Sequence, residues 1–307
     1  MGKKVFGSLV MLLAVCVSAV AATTAGAVHL SAEIYGLTDD NRLLSFSAAS
    51  PGDVETNVKV SGLPSGASLI GIDFRPRDGK LYTVAKVGTT GSLYTVDPES
   101  GEATFVVTLV NAGTTTPVVL QGTQFGFDFN PAADALRIVS DTGQNLRALP
   151  SSTSPTGAAR VTGATFMDGT LSYTPCSPGA TPPACSTTRP AATGITGAAY
   201  TNNDNDAATP TTLYDIDSNL DDLVIQSPPN DGTLTRVGDL GVDTASFVGF
   251  DVRTTGGMNI AYASLTQQQG RGATLATLYQ VDLATGAVTS LGKIGGPKTL
   301  IGIAAAL

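Results

Sequence analysis

A short phrase built on a central glycine recurs along the chain. It reads Leu69-Ile70-Gly71-Ile72-Asp73-Phe74, then Gln124-Phe125-Gly126-Phe127-Asp128-Phe129, then Ile195-Thr196-Gly197-Ala198-Ala199-Tyr200, then Phe247-Val248-Gly249-Phe250-Asp251-Val252. A fifth copy, Leu300-Ile301-Gly302-Ile303-Ala304-Ala305, stands at the carboxyl end with only Ala306 and Leu307 after it. Each of the first four opens a unit of further strand-like segments, whereas the fifth opens nothing. A lone strand exposes unpaired N–H and C=O groups unless it joins a sheet. The natural partner is the set of strand-like segments at 28–62, which precedes the first phrase and has no opening strand of its own. Pairing the two ends closes a ring, and the expected architecture is an all-β, five-bladed β-propeller of four-stranded blades. The competing architecture, two β-sandwiches with turns at similar spacing, gives no reason for the terminal phrase to match the internal ones.

The units align on this phrase. After it, the first unit has Lys80–Ala85, Ser92–Val96, the turn Asp97-Pro98-Glu99-Ser100-Gly101 and Ala103–Leu109. The second has Ala135–Ser140, Asn145–Leu149 and a fourth strand near Ala159–Phe166. The third has Thr212–Asp217, Asp222–Gln226 and Thr233–Gly238, and the fourth has Met258–Ser264, Thr277–Val281 and Ala287–Leu291. The fifth unit is split, taking Leu300–Ala306 from the end and His29–Leu37, Asn41–Phe46 and Glu55–Val60 from the start. The phrase glycines lie 55, 71, 52 and 53 residues apart. Three of these spacings are close to the period of a four-stranded blade, roughly 40–50 residues. The 71 contains a Cys/Pro-rich insertion near 167–190. Alternation in the second and third strands has the period of two of a half-buried strand, and nothing sustains a 3.6-residue period. Asn111–Gly122 and the 167–190 loop fall outside the blades.

Residues 1–27 read as an export signal, with Lys3 and Lys4 ahead of an apolar run from Val5 to Val17 and small-residue cleavage patterns at Ala19-Val20-Ala21 and Ala25-Gly26-Ala27. The expectation is one domain over 28–307, secreted, periplasmic or on the cell surface. The formal charge of −8 becomes −10 once Lys3 and Lys4 are removed. An acidic surface disfavours nucleic acid, whose phosphates need Lys and Arg, and disfavours anionic lipid. No membrane contact after cleavage and a monomeric state are expected. Cys176 and Cys185 remain in an exported chain and are expected to form a disulfide pinning their loop.

Asp73, Asp128 and Asp251 occupy the same place in three phrases, two residues after glycine. In a propeller the opening strands line the central channel, so these carboxylates converge there. Three readings follow: acceptors for backbone amides of the neighbouring blade, a repeated lock; oxygen ligands for Ca²⁺; or an acid pair for glycoside hydrolysis. Repetition in register favours the lock, since a catalytic pair needs unlike environments. Ala199 and Ala304 interrupt the ring of acids. The run Asn202-Asn203-Asp204-Asn205-Asp206 makes Asp204 and Asp206 further calcium candidates, although it lacks the glycine and terminal glutamate of an EF-hand loop. The single histidine, His29, leaves no base for a Ser-His-Asp triad and no set of imidazole ligands. There is no phosphate-binding glycine loop, and no cofactor other than Ca²⁺ is expected.

Ile72-Asp73-Phe74-Arg75-Pro76 with Leu81-Tyr82, Gly126-Phe127-Asp128-Phe129-Asn130-Pro131 with Leu136–Ser140, and Leu213-Tyr214-Asp215-Ile216-Asp217 with the turn Ser227–Gly232 carry a family resemblance. Together they resemble the bacterial exported family called domain of unknown function 4394, from about Glu33 to Leu307. That resemblance implies a secreted or surface β-repeat protein and brings no catalytic residues. The expected function is a non-catalytic binding or surface-interaction protein for an extracellular or envelope ligand. The alternative is a carboxylate-based or calcium-assisted hydrolase or lyase on extracellular glycans, with Asp73, Asp128 and Asp251 as its acids.

Overall fold

The computed structural model describes residues 1–2, 32–174, 191–267, 276–296 and 299–307. The export segment from residue 3 onward, His29 and the Cys176/Cys185 pair lie outside them. The chain begins with β1 (Glu33–Thr38), β2 (Arg42–Ser47) and β3 (Val54–Lys59). Blade 1 is β4 (Ser68–Phe74), β5 (Leu81–Val87), β6 (Thr90–Val96) and β7 (Ala103–Thr108). Blade 2 comprises β8 (Val110–Asn111), β9 (Phe125–Asn130), β10 (Ala135–Ser140), β11 (Asn145–Ala148) and β12 (Ala164–Met167). Blade 3 comprises β13 (Ser172–Tyr173), β14 (Ile195–Tyr200), β15 (Leu213–Asp217), β16 (Asp222–Gln226) and β17 (Thr233–Asp239). Blade 4 is β18 (Thr244–Thr255), β19 (Met258–Gln267), β20 (Thr277–Val281) and β21 (Val288–Lys293), and the last strand is β22 (Leu300–Ala305). The described residues contain no α-helix.

β22 pairs antiparallel with β1, placing Ile34 opposite Ala305, Tyr35 opposite Ala304 and Leu37 opposite Gly302. The fifth blade is therefore β22-β1-β2-β3, stitched from both ends of the chain, and the ring closes as a five-bladed propeller. β1 finds β2 on its other edge, while the free edge of β22 faces the axis, where Ala305 N–H donates to Asp251 Oδ2 and Ala306 O accepts from Arg253 Nε.

The cores are five seams between neighbouring blades. Inner strands are buried on both faces: β9, β10 and β14 show almost no exposed position. Alternation there sorts residues between two seams and not between core and water. In β5, Leu81 and Ala85 face blade 5 while Tyr82 and Val84 face blade 2. The half-buried alternation expected of second strands belongs to outer strands such as β3, where every second residue is exposed.

The phrase glycines seat one blade on the next. A Cβ on Gly71 would lie 2.4 Å from Cβ of Phe127, and one on Gly126 would lie 2.8 Å from both Cβ and N of Ala198. Only glycine lets opening strands of adjacent blades approach this closely.

Three local expectations need correction. The fourth strand of blade 2 is Ala164–Met167, beginning after Gly163 rather than at Ala159. The 111–122 segment is not wholly outside the blades, because Val110–Asn111 adds a parallel fifth strand against β12. Ser172–Tyr173, within the expected insertion, does the same against β17.

Candidate functional site

Asp73, Asp128 and Asp251 meet at the axis. One carboxylate oxygen from each lies within 4.8 Å of the other two, and all three side chains are buried. Phe74, Pro76, Phe129, Tyr200, Asn203 and Val252 close around them. The sequence-predicted convergence is thus present, and Asp204 and Asp206 are not part of it: both are exposed in the loop beyond β14. Among the described residues no other group of three or more potential metal ligands comes this close together.

The donors to these carboxylates are backbone amides. Phe129 N–H donates to Asp73 Oδ2 at 2.8 Å, and Ala305 N–H donates to Asp251 Oδ2 at 2.6 Å. Tyr200 N–H donates to Asp128. In each case the donor stands one residue after the acid position of the next blade, which is Asp128, Ala304 and Ala199 respectively. Where Ala199 and Ala304 replace the acid, the following blade has no carboxylate to receive its amide. There the acid of that blade takes its own neighbour: Val252 N–H donates to Asp251 Oδ1 at 2.6 Å, and Phe74 N–H donates to Asp73. Three carboxylates therefore serve the equivalent amide of all five opening strands. The two alanines are explained without a broken ring.

Burial pushes Asp73 well above the ordinary carboxylate range, the nearby Asp251 adds to this, and the amides of Phe129 and Phe74 oppose it. Burial, then Asp73 and Asp251, push Asp128 up in the same way. Asp251 is raised by burial to about 6, held down in part by its two amide donors. Three charges this close in a dry site repel one another strongly. The cluster therefore keeps protons near neutrality or takes up a cation.

Sequence reasoning missed two polar clusters. Between blades 1 and 2, Asp134 is 2% exposed and receives Arg75 bidentately, Nε to Oδ1 at 2.6 Å and Nη2 to Oδ2 at 2.7 Å. Arg77 at 3.0 Å and Arg160 at 2.7 Å complete it. Burial alone would raise Asp134, but the three arginines hold it below the ordinary range. Between blades 2 and 3, Arg137 is 2% exposed and donates to Asn145 Oδ1 and Asp168 Oδ2, both at 2.7 Å, to Asn230 Oδ1 at 2.8 Å and to Tyr200 Oη at 3.3 Å. The available signal was a lone arginine inside the apolar strand Ala135-Leu136-Arg137-Ile138-Val139, since such residues are buried only when paired.

Comparison with curated protein sequences gives no match. Among solved structures, a Lactobacillus plantarum protein is 13% identical with a TM-score of 0.42, over 90% of this chain and 99% of that one. A nidogen/laminin complex is 12% identical with a TM-score of 0.43, over 90% and 98%. TolB from Acinetobacter baumannii is 10% identical with a TM-score of 0.40, over 91% and 67%. The family model described as a domain of unknown function (DUF4394) matches residues 42–304, nearly the whole ring. The protein belongs to that family.

Proposed function

We propose that this chain is an exported, non-catalytic binding scaffold, acting at the cell surface or outside the cell, whose axial carboxylates fasten the ring and do not act on a substrate. The observation that carries this reading is the commitment of Asp73, Asp128 and Asp251 to the five equivalent amides of the opening strands. A catalytic acid needs a free oxygen facing a substrate, and a nucleophile or base partner in a different environment. Here all three acids are enclosed and accept from backbone amides. Ligand contact then falls to the loops and blade edges, with an extracellular polymer, a protein or an envelope component as partner.

The test is a glycan array combined with a reducing-end assay on extracellular polysaccharides, using the mature chain and its Asp128→Asn variant. Retention of a polymer without cleavage, equal in both proteins, is the expected result. Polymer cleavage lost in the variant at unchanged melting temperature overturns the reading in favour of a hydrolase or lyase.

The 4.8 Å spacing supports a second reading of the same lock. Calcium binds oxygen at about 2.3–2.6 Å, so one ion reaches all three carboxylates. It would replace the shared protons and neutralise the repulsion. Melting with excess CaCl₂ against EDTA decides between them, because a ligand of the folded state raises the melting temperature with its concentration.

A further inference from the structure

The seam between blades 2 and 3 differs from the other four in how little of it is apolar. Blade 2 contributes only Val139 to its hydrophobic cluster, and the remaining space is filled by the Arg137 network. On the blade 3 side of this seam stands Asp215, in the middle of β15, with no exposed surface. Both of its carboxylate oxygens lack a hydrogen-bond donor among the described residues. That is costly for an ionised group, which off water needs several donors.

The surrounding groups explain why none comes. Arg137 on β10 acts on Asp215 electrostatically, but its donors are placed on Asn145, Asp168, Asn230 and Tyr200. Asp217, next on the same face of β15, accepts from Tyr173 Oη at 2.5 Å. Asp222 on β16 is paired with Arg236 of β17. Asp128 on β9 faces the same interior, is itself raised by burial and by its neighbouring acids, Asp215 among them, and offers Asp215 no donor of opposite charge. Every cation reaching this space already has a carboxylate, so Asp215 is an anion too many.

Two further buried acceptors on this face have no hydrogen-bond donor among the described residues, Asp222 Oδ1, which is ion-paired with Arg236, and Gln226 Oε1, which faces no cation. Strand pairing sets Leu213 opposite Gln226 and Asp215 opposite Val224, so Gln226 is the diagonal neighbour of Asp215 on one face of the sheet. Gln226 is 1% exposed, and its Nε2 donates to Pro229 O at 2.5 Å and Asn145 Oδ1 at 3.3 Å. Its Oε1 has no partner. Two acceptors side by side without a donor are both relieved by a single proton, since a protonated carboxyl gains an O–H.

We infer that Asp215 is carried as a neutral carboxylic acid that donates to Gln226 Oε1 across β15 and β16, making the blade 2–3 seam a proton-dependent contact. Burial pushes Asp215 well above the ordinary carboxylate range, opposed by Arg137 and reinforced by Asp217, which agrees with this state. The unfolded chain ionises at the ordinary value while the folded chain keeps the proton. Stability therefore falls as pH rises from about 4 through the raised value, and is constant above it.

Asp215→Asn replaces the neutral acid by a neutral group that also donates. Its melting temperature relative to the parent is expected to climb with pH by about 2–3 °C per unit through that window. Infrared difference spectra of parent and variant at pH 7 are expected to show the loss of one protonated-carboxyl band. A melting difference independent of pH, or an unchanged protonated-carboxyl band, overturns the inference. Should Asp215→Asn not fold, Gln226→Leu in the folded parent background is read by the same band, which is expected to move to the frequency of an unbonded acid. An unmoved band excludes Gln226 as the acceptor.

Discussion

Asp134 and the axial trio are equally hidden from water, with exposures of 2% for Asp134 and 4–6% for Asp73, Asp128 and Asp251. All of them join one blade to the next. Yet Asp134 is held below the ordinary carboxylate range while the axial acids are pushed above it. The difference lies in the donors. Asp134 faces three guanidinium groups, whose charge more than offsets desolvation. The axial acids face backbone amides, which carry dipoles and no charge, and they face one another. Burial alone does not set the charge state of a carboxyl group; the kind of donor surrounding it does.

The largest effect expected from this contrast is at Asp134. Asp134→Ala leaves Arg75 buried without its bidentate partner and removes the only carboxylate among the described residues paired with Arg77 and Arg160, a change of the class that costs about 3–5 kcal/mol. Urea unfolding measures it. A smaller loss than that of Asp73→Ala would reverse the ranking of the two clusters. The pH signature follows from the depressed value: Asp134 stabilises the fold above the ordinary carboxylate pKa, and this is lost as pH falls through its lower folded value. The parent should therefore lose stability in acid with a slope that Asp134→Ala lacks.

Next is Gly71→Ala, which tests whether close seating of the blades or the axial hydrogen bonds hold the ring at its centre. The new Cβ would lie 2.4 Å from Cβ of Phe127. Backbone must shift, at a cost of about 1–3 kcal/mol. An unchanged unfolding midpoint would mean that the opening strands are free to slide, and the amide lock alone would then account for the geometry.

Asp251 gives the opposite pH slope to Asp134. With a folded value raised to about 6, it lowers stability as pH climbs from about 4 to about 6 and has no further influence above. Asp251→Asn is expected to flatten that limb while leaving the acid limb of Asp134 in place. Identical pH profiles for parent and variant would show that the fold leaves the Asp251 carboxyl unshifted, and a parent that instead loses stability in acid relative to the variant would show a carboxylate held ionised, as by a bound cation. Its window closes near pH 6, and comparing Asp251→Asn with Asp215→Asn separates the two acids.

Ring closure was legible because a repeated phrase with its glycine can be counted, and the copy at Leu300–Ala305 had to pair with something. The convergence of Asp73, Asp128 and Asp251 followed from register alone. What register does not carry is the direction of a hydrogen bond, so the switch of Asp251 to its own Val252 amide, compensating for Ala199, was out of reach. The Asp134 cluster was hidden for another reason. Its arginines, Arg75, Arg77 and Arg160, come from two blades and loops of unrelated spacing, and nothing local in Asn130-Pro131-Ala132-Ala133-Asp134 distinguishes it from a solvated turn. Asp215 was visible in the strand Leu213-Tyr214-Asp215-Ile216-Asp217 but not as a buried acid, because alternation in β15 reads the same whether its second face meets water or another blade.

The smallest expected effect belongs to the acids that share residue type with both clusters and nothing else. Asp204 Oδ1 accepts from Asp206 N–H at 3.0 Å, and Asp206 Oδ1 from Ala208 N–H at 2.9 Å, in an exposed loop. These are turn contacts of the kind asparagine and aspartate make with their own backbone two residues on. The double variant Asp204→Ala, Asp206→Ala should shift the melting temperature by no more than about 2 °C, the scale of a surface change. Measured with and without CaCl₂, parent and double variant should give the same calcium response, because the proposed calcium site is the axial trio and not this loop. A calcium-dependent shift abolished by the double variant would move the cation to the loop and leave the axial acids to share protons alone.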